Sequence, residues 1–267
     1  MLAHRYVPGK SKLSRIDPDD TGPFSDRDDP RVKRRLDRAT EKMIDLQQRL
    51  VGENRQRLLI VLQAMDTGGK DGAIRRVIGP LDSRGCRVES FKAPSEEERA
   101  HDYLWRVHHR VPRNGEIVVF NRSHYEDVLV ARVLGFVPPS VWKRRYAHIT
   151  AFEQLLSDEG TKLVKVFLHI SKDEQRVRLE ERLRDPSKHW KFDEADLEMR
   201  AKWADFQVAY EEALQKTSTR HAPWYVVPAN KKWFRDVAIA ELVAEALEEL
   251  DPRYPAAKLD VAKIRIK

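Results

Sequence analysis

The sequence predicts an α/β fold built on a mainly parallel sheet of five strands. Three observations carry that expectation. Apolar runs such as Leu58-Leu59-Ile60-Val61-Leu62 are continuous rather than alternating, the pattern of a strand buried on both faces. Such runs alternate along the chain with charged stretches of helical period. No internal repeat, low-complexity segment or long linker interrupts the alternation, so one domain over residues 1–267 is expected.

Residues 1–30 are rich in Pro, Asp and Arg and have no steady period, which predicts an irregular arm wrapped on the domain or on a neighbouring subunit. A helix is expected over 28–52, with Leu36, Met43, Leu46 and Leu50 at helical spacing, Pro30 in its first turn and Gly52 at its end. The apolar run over 58–62 follows as a strand, then a Gly-rich turn and a helix over 69–78. A second strand is expected over 87–92. Ser95 and Glu98 form a capping box that opens a helix through residue 111. The third strand, 116–120, leads into a helix over 124–133. Ser140 opens a long helix that sends Val141, Tyr146, Ile149, Phe152 and Leu156 to the core and stops at Gly160. Residues 162–170 form a fourth strand, and a helix over 172–183 ends at Asp185-Pro186. A long helix over 193–217 carries Trp203, Tyr210 and Leu214 on one side. A fifth strand over 224–227, a closing helix over 231–250 and a polar tail complete the chain.

Composition narrows the class. With 267 residues, 41% of them hydrophobic, the chain can bury a core, which excludes disorder over its whole length. No apolar run approaches the roughly 20 residues that cross a bilayer. The first twenty residues lack an apolar signal segment, so a cytoplasmic protein without membrane contact is expected. The single Cys86 excludes a disulfide framework. Lys and Arg number 50 against 43 acids, a net charge of +7, which points to a polyanionic partner. Acids and bases are mixed along the chain, and zinc-finger spacing and RNA-binding aromatic motifs are missing, so nucleic acid is not that partner.

The first buried strand runs into Ala64-Met65-Asp66-Thr67-Gly68-Gly69-Lys70-Asp71-Gly72 and then a helix. Strand, glycine loop and helix are the context of a phosphate-binding P-loop, and Gly69-Lys70 matches its pattern G-x-x-x-x-G-K-[ST]. Ala64 replaces the first glycine and Asp71 the Ser/Thr that ordinarily holds Mg²⁺. Gly68, Gly69 and Gly72 let backbone N–H groups turn toward an anion at a helix N-terminus, and Lys70 would bridge phosphoryl oxygens. Asp66 and Asp71 offer hard oxygen ligands suited to Mg²⁺. Arg75 and Arg76, a turn further on, either extend the anion site or face solvent.

The third strand exits into Asn121-Arg122-Ser123-His124-Tyr125-Glu126-Asp127. Ligands of open α/β sheets bind at the carboxyl ends of strands, so this polar cluster should lie beside the phosphate loop. Arg122 suits a bidentate phosphate clamp. Ser123 with Glu126 equally forms a capping box, and Asp127 a helix-dipole acid; both roles can hold at once. Further on, Arg178, Arg182, Arg184, Lys188 and Lys191 surround Pro186 and Trp190. A basic segment there, over about 178–200, is read as a mobile helical lid that excludes water and neutralises a transferring phosphoryl group. Arg178 and Arg182, four residues apart, are expected to share a face.

Taken together, AMDTGGKDG, FNRSHYEDV, the lid segment from SKDEQ to WKF, and APWYVVPANKKW resemble, in order and spacing, the polyphosphate kinase 2 family over about residues 30–250. The resemblance implies a P-loop kinase fold of three α/β/α layers with a helical lid. It implies transfer of the terminal phosphoryl of inorganic polyphosphate to a nucleotide with Mg²⁺ or Mn²⁺, in a homodimer or homotetramer. Carried over by position, Asp66 is the carboxylate that binds metal and orients the acceptor, Lys70 the phosphate-binding lysine, Arg122 the Walker-B arginine and Arg182 the lid arginine. Arg178, Arg75 and Lys188 join the phosphate-binding set. Many members have Asp where this chain has Asn121. Asn121 followed by Glu126-Asp127 is similar to the subgroup that phosphorylates both AMP and ADP, which moves the second metal carboxylate to Asp127 and links Glu126 to acceptor choice. A linear polyanion would also account for the net charge, with Lys10, Lys12, Arg15, Arg75, Arg76, Arg84 and Lys92 as its track. Two alternatives stand beside this one: an ATP-dependent nucleotide kinase on the same fold, and a non-catalytic polyanion-binding protein.

Overall fold

A computed structural model describes residues 2–257, 259 and 263–265. Its centre is strand β2 (Arg57–Ala64), whose apolar run Leu58–Leu62 is at most 1% exposed. An all-apolar strand needs cover on both faces and both edges, and β2 has it. Parallel partners flank it: β4 (Ile117–Asn121) on one side and β5 (Thr161–His169) on the other. Beyond β4 lies β3 (Cys86–Ser90), and beyond β5 lies β6 (Trp224–Pro228), both parallel to their neighbours. The five expected strands are therefore all present and parallel.

The sheet has six strands, not five. A two-residue strand, β1 (His4–Arg5), pairs antiparallel with β6, giving the order β1-β6-β5-β2-β4-β3. Two polar residues cannot display a period of two, so β1 has no sequence signature; it exists because β6 presents a free edge. The arm packs on the domain. Leu2, Tyr6, Leu13 and Phe24 are buried, and the Tyr6 hydroxyl bonds Glu211.

Helix α1 (Pro30–Glu53) is capped by Asp29 and packs its apolar stripe against α10 (Lys232–Leu250). α10 also lies on β5 and β6. α6 (Pro139–Asp158) packs on β5, and against α9 (Trp203–Thr217). One contiguous apolar core joins sheet and helices.

Three expected helices are broken. The predicted 95–111 helix keeps its capping box but divides into α3 (Glu96–Ala100) and α4 (Trp105–His108), because Asp102 bonds the Leu104 N–H at 2.9 Å and starts the chain afresh. The 193–217 helix divides into α8 (Ala195–Ala201) and α9 at Lys202, whose φ/ψ of −89°/21° leaves the helical ladder. The 124–133 helix becomes a 3₁₀ turn (His124–Asp127) and a short α5 (Val130–Val133), since its first turn tightens around a buried tyrosine. The expected polar tail lies partly outside the described residues.

Candidate active site

The loop after β2 turns on two glycines. A side chain on Gly68 would overlap Ala64 Cβ and crowd the Met65 carbonyl, and Gly69 combines a φ of +100° with the guanidinium of Arg235 standing where a Cβ would be. The chain then enters α2 (Lys70–Ala73), which continues into a π-helical turn over Ile74–Ile78. Lys70 is buried under the loop and donates to the Ala64 carbonyl at 3.1 Å. Burial pushes its ammonium below the usual lysine range, opposed mainly by the Asp66 carboxylate.

The loop is held from behind by α7 (Lys172–Arg184). Gln175, fully buried, donates to the Asp66 carbonyl at 3.0 Å. Arg178, 5% exposed, donates to the Thr67 carbonyl at 2.9 Å, to those of Ala229 and Asn230 at 2.6 and 3.0 Å, and to Glu174 at 2.7 Å. Arg178 was expected to bind phosphate. Its donors instead point into the protein and tie down loop backbone, a role set by its depth at the root of α7.

Register brings the β4 exit to the same place, because Leu62 of β2 pairs with Asn121. Asn121 donates to Asp71 at 2.8 Å. Arg122, at a left-handed φ of +61°, donates to Asp66 at 3.1 Å. Its guanidinium pKa is depressed by burial, yet Glu126 and Asp66 outweigh that and raise it. Glu126 is recessed beside Arg122 and Lys70; burial raises its pKa above the ordinary carboxylate range.

Asp127 does not join this group. Its carboxylate pairs with Arg145 of α6 at 3.1 Å, and its charged neighbours are Arg145, Arg106 and His124. In a 3₁₀ turn successive side chains diverge by a third of a revolution, so Glu126 faces the loop and Asp127 turns toward α6. The expectation that Asp127 holds metal is not supported by that placement.

Arg182, one turn beyond Arg178, reaches Asp196 at 3.1 Å and the Lys191 carbonyl at 3.1 Å. Asp196 has its pKa raised by burial and then by the Asp66 carboxylate, whose charge reaches it. Lys188 is exposed and bonded to Asp185 at 2.7 Å, and Arg75 is exposed on the π-helical turn, so neither meets the loop here. Sequence reasoning missed Asp196, Gln175, Arg235 and Tyr210. Tyr210 is buried and held well above the ordinary phenol range by burial, then by Glu126 and Asp66. Nothing in periodicity separates these residues from an ordinary helix face. A cavity of about 710 Å³ lies between the arm and α9, but none of its lining residues belongs to this cluster.

Carboxylates and cations thus converge on a glycine turn at the carboxyl end of a central parallel strand, the arrangement of a P-loop phosphotransferase. Residues 26–255 match the family model for polyphosphate kinase 2, and the chain belongs to that family. It is 52% identical to the AMP/ADP-polyphosphate phosphotransferase of Meiothermus ruber over the full length of both chains. It is 46% identical to the ADP-polyphosphate phosphotransferase of Rhodopseudomonas palustris, over 80% of this chain and 78% of that one. The crystal structure of polyphosphate kinase 2 from Arthrobacter aurescens TC1 superposes with a TM-score of 0.92 at 46% identity, over 96% of this chain and 92% of that one. No helix among the described residues is long and apolar enough to cross a membrane.

Proposed function

We propose that the protein moves the terminal phosphoryl group of inorganic polyphosphate to AMP and to ADP, reversibly. The observation that carries this reading is the single electrostatic unit formed by Asp66, Arg122 and Lys70. Arg122 bonds Asp66 at 3.1 Å, and Asp66 is the first charge acting on Lys70. Phosphoryl transfer needs little covalent help from a protein and is accelerated by positioning and charge neutralisation. Lys70 and Arg122 neutralise the oxygens around the transferred group, and Asp66 orients the acceptor phosphate. Glu126 and Asn121 stand at the acceptor side, where the M. ruber relative's name, with both AMP and ADP, supports dual acceptance.

Segment 178–200 is read as the lid. Arg182 is held by Asp196, an anion standing where a substrate phosphate would stand, so bound polyphosphate takes over Arg182 and draws the segment closed. Mg²⁺ or Mn²⁺ fits the donor set, because Asp66 and Asp71 are hard oxygen ligands in one loop. Among the described residues no three His, Cys, Asp or Glu side chains gather as a complete metal site, so substrate phosphate oxygens would complete the shell. When bound, the ion supplies further neutralisation of phosphate charge.

The same reading makes the protein a cytoplasmic homodimer or homotetramer of single-domain subunits, checked by light scattering. An ATP-dependent kinase is disfavoured by Asp71, a carboxylate already bonded to Asn121 where a metal-binding hydroxyl would stand. The test is an ATP-free assay with Mg²⁺, polyphosphate and either AMP or ADP, products separated by anion exchange. Formation of ATP from ADP, and of ADP then ATP from AMP, is expected. Turnover only with ATP as donor would sink the reading.

A further inference from the structure

Under the 3₁₀ turn, among β5, α6 and the end of α9, lies a buried polar network that the chemistry above does not use. Lys165 of β5 and Glu153 of α6 are both 0% exposed and meet at 2.6 Å. Lys165 also donates to the Tyr125 hydroxyl at 2.9 Å and to the Thr217 carbonyl at 2.7 Å, so all three of its N–H groups are engaged. The Tyr125 hydroxyl bonds Glu153 at 2.7 Å and lies 3.0 Å from Thr217 Oγ1, which accepts from the Trp224 indole at 2.9 Å. His124, equally buried, has Nε2 3.4 Å from Glu153. Burial works to raise the Glu153 pKa, yet Lys165 and then His124 outweigh it and hold the carboxylate below its ordinary range.

An ion pair so deep is no more stabilising than well-packed apolar side chains of the same volume, because both charges must be stripped of water. What it adds is direction. Its bonds converge on Tyr125 and His124, which stand between Arg122 and Glu126. Arg122 holds a left-handed backbone that a non-glycine residue keeps only where its neighbours impose it. The 3₁₀ turn sends His124 and Tyr125 inward while Ser123 and Glu126 face Gln63 on β2. Four elements, β5, α6, α9 and β6, therefore fix the two residues whose neighbours face the phosphate loop.

We propose that Lys165, Glu153 and Tyr125 are positioning residues for phosphoryl transfer, anchoring the 3₁₀ turn so that Arg122 and Glu126 meet Asp66 and Lys70. The proposal rests on the phosphotransfer reading for its kinetic readout.

Tyr125→Phe removes one hydroxyl and keeps the ring packed on Trp224. It should lower kcat about tenfold with the nucleotide KM nearly unchanged, as small misplacements of clamping groups do. Hydrogen exchange over residues 120–128 should rise while exchange elsewhere stays at the wild-type level. The double variant Lys165→Met with Glu153→Met fills the same space without charge. It should recover thermal stability relative to Lys165→Met alone, yet keep the low kcat. A stable double variant with full kcat, or a Tyr125→Phe variant unchanged in both kcat and local exchange, overturns the proposal. Failure of the phosphotransfer reading looks different: the wild type itself would give no product from polyphosphate, while the exchange comparison still decides whether the network anchors the turn.

Discussion

Arg178 and Arg182 stand one turn apart on the same face of α7, and the structure gives them opposite surroundings. Arg178 is buried and bonded to three backbone carbonyls, two of them in the β6–α10 connection and one in the phosphate loop. Arg182 lies where the helix leaves the core, and its partners are the carboxylate of Asp196 and one carbonyl within the following segment. Carbonyls cannot leave, whereas a carboxylate on a separate segment can be exchanged for a substrate anion. The first arginine builds the loop; the second is available to chemistry. Spacing alone makes them equivalent, and depth makes them different.

The heaviest losses should fall at the loop that Arg178 holds. Asp66→Asn and Lys70→Ala should each lower kcat by roughly 10²–10³ or more without unfolding, since groups aimed at developing charge carry effects of that size. Steady-state kinetics with polyphosphate and ADP, alongside circular dichroism, measures both. Next come the two arginines themselves. Arg182→Ala should lose about 10² in kcat with an almost unchanged melting temperature. Arg178→Met should destabilise by about 3 kcal/mol, the scale for leaving buried polar groups unpaired, as read by urea denaturation. If both variants lose activity alone, or both lose stability alone, the division between them is wrong.

A smaller, pH-dependent effect is expected at Glu126. Burial raises its folded pKa above the unfolded value of about 4.3. The folded state then binds the proton more tightly, so ionising Glu126 erodes stability as pH rises through that window. Glu126→Gln should therefore be more stable than wild type at pH 7 and indistinguishable below about pH 4. The acid limb of the rate profile, where the wild-type carboxylate protonates, should also change. An unchanged difference in melting temperature between pH 4 and pH 7 would contradict this. Smaller again, Asp196→Asn frees Arg182 and removes a repulsion from Asp66, so the KM for polyphosphate should fall a few-fold. Lys188→Ala, altering an exposed pair, should leave all constants unchanged.

Much of this molecule was already determined by its amino-acid order. Continuous apolar runs dictated parallel strands because a strand without a polar face cannot meet water. The glycines at 68 and 69, with Lys70 behind them, dictated an anion loop because no residue with a side chain fits that turn. The place of Arg122 beside the loop was legible because it follows a buried strand directly. Tertiary structure decided what depends on distance between segments far apart in the chain. Strand β1 needed the free edge of β6. Asp127 went to Arg145 because a 3₁₀ turn, not an α-helix, formed over a buried tyrosine. Arg178 met backbone carbonyls and Arg182 a carboxylate because α7 crosses from core to surface between them. Asp196 and Gln175, like the Lys165–Glu153 pair, carry no local signature at all: a side chain's chemistry is written in the sequence, but its burial and its partners exist only once the chain has closed around it.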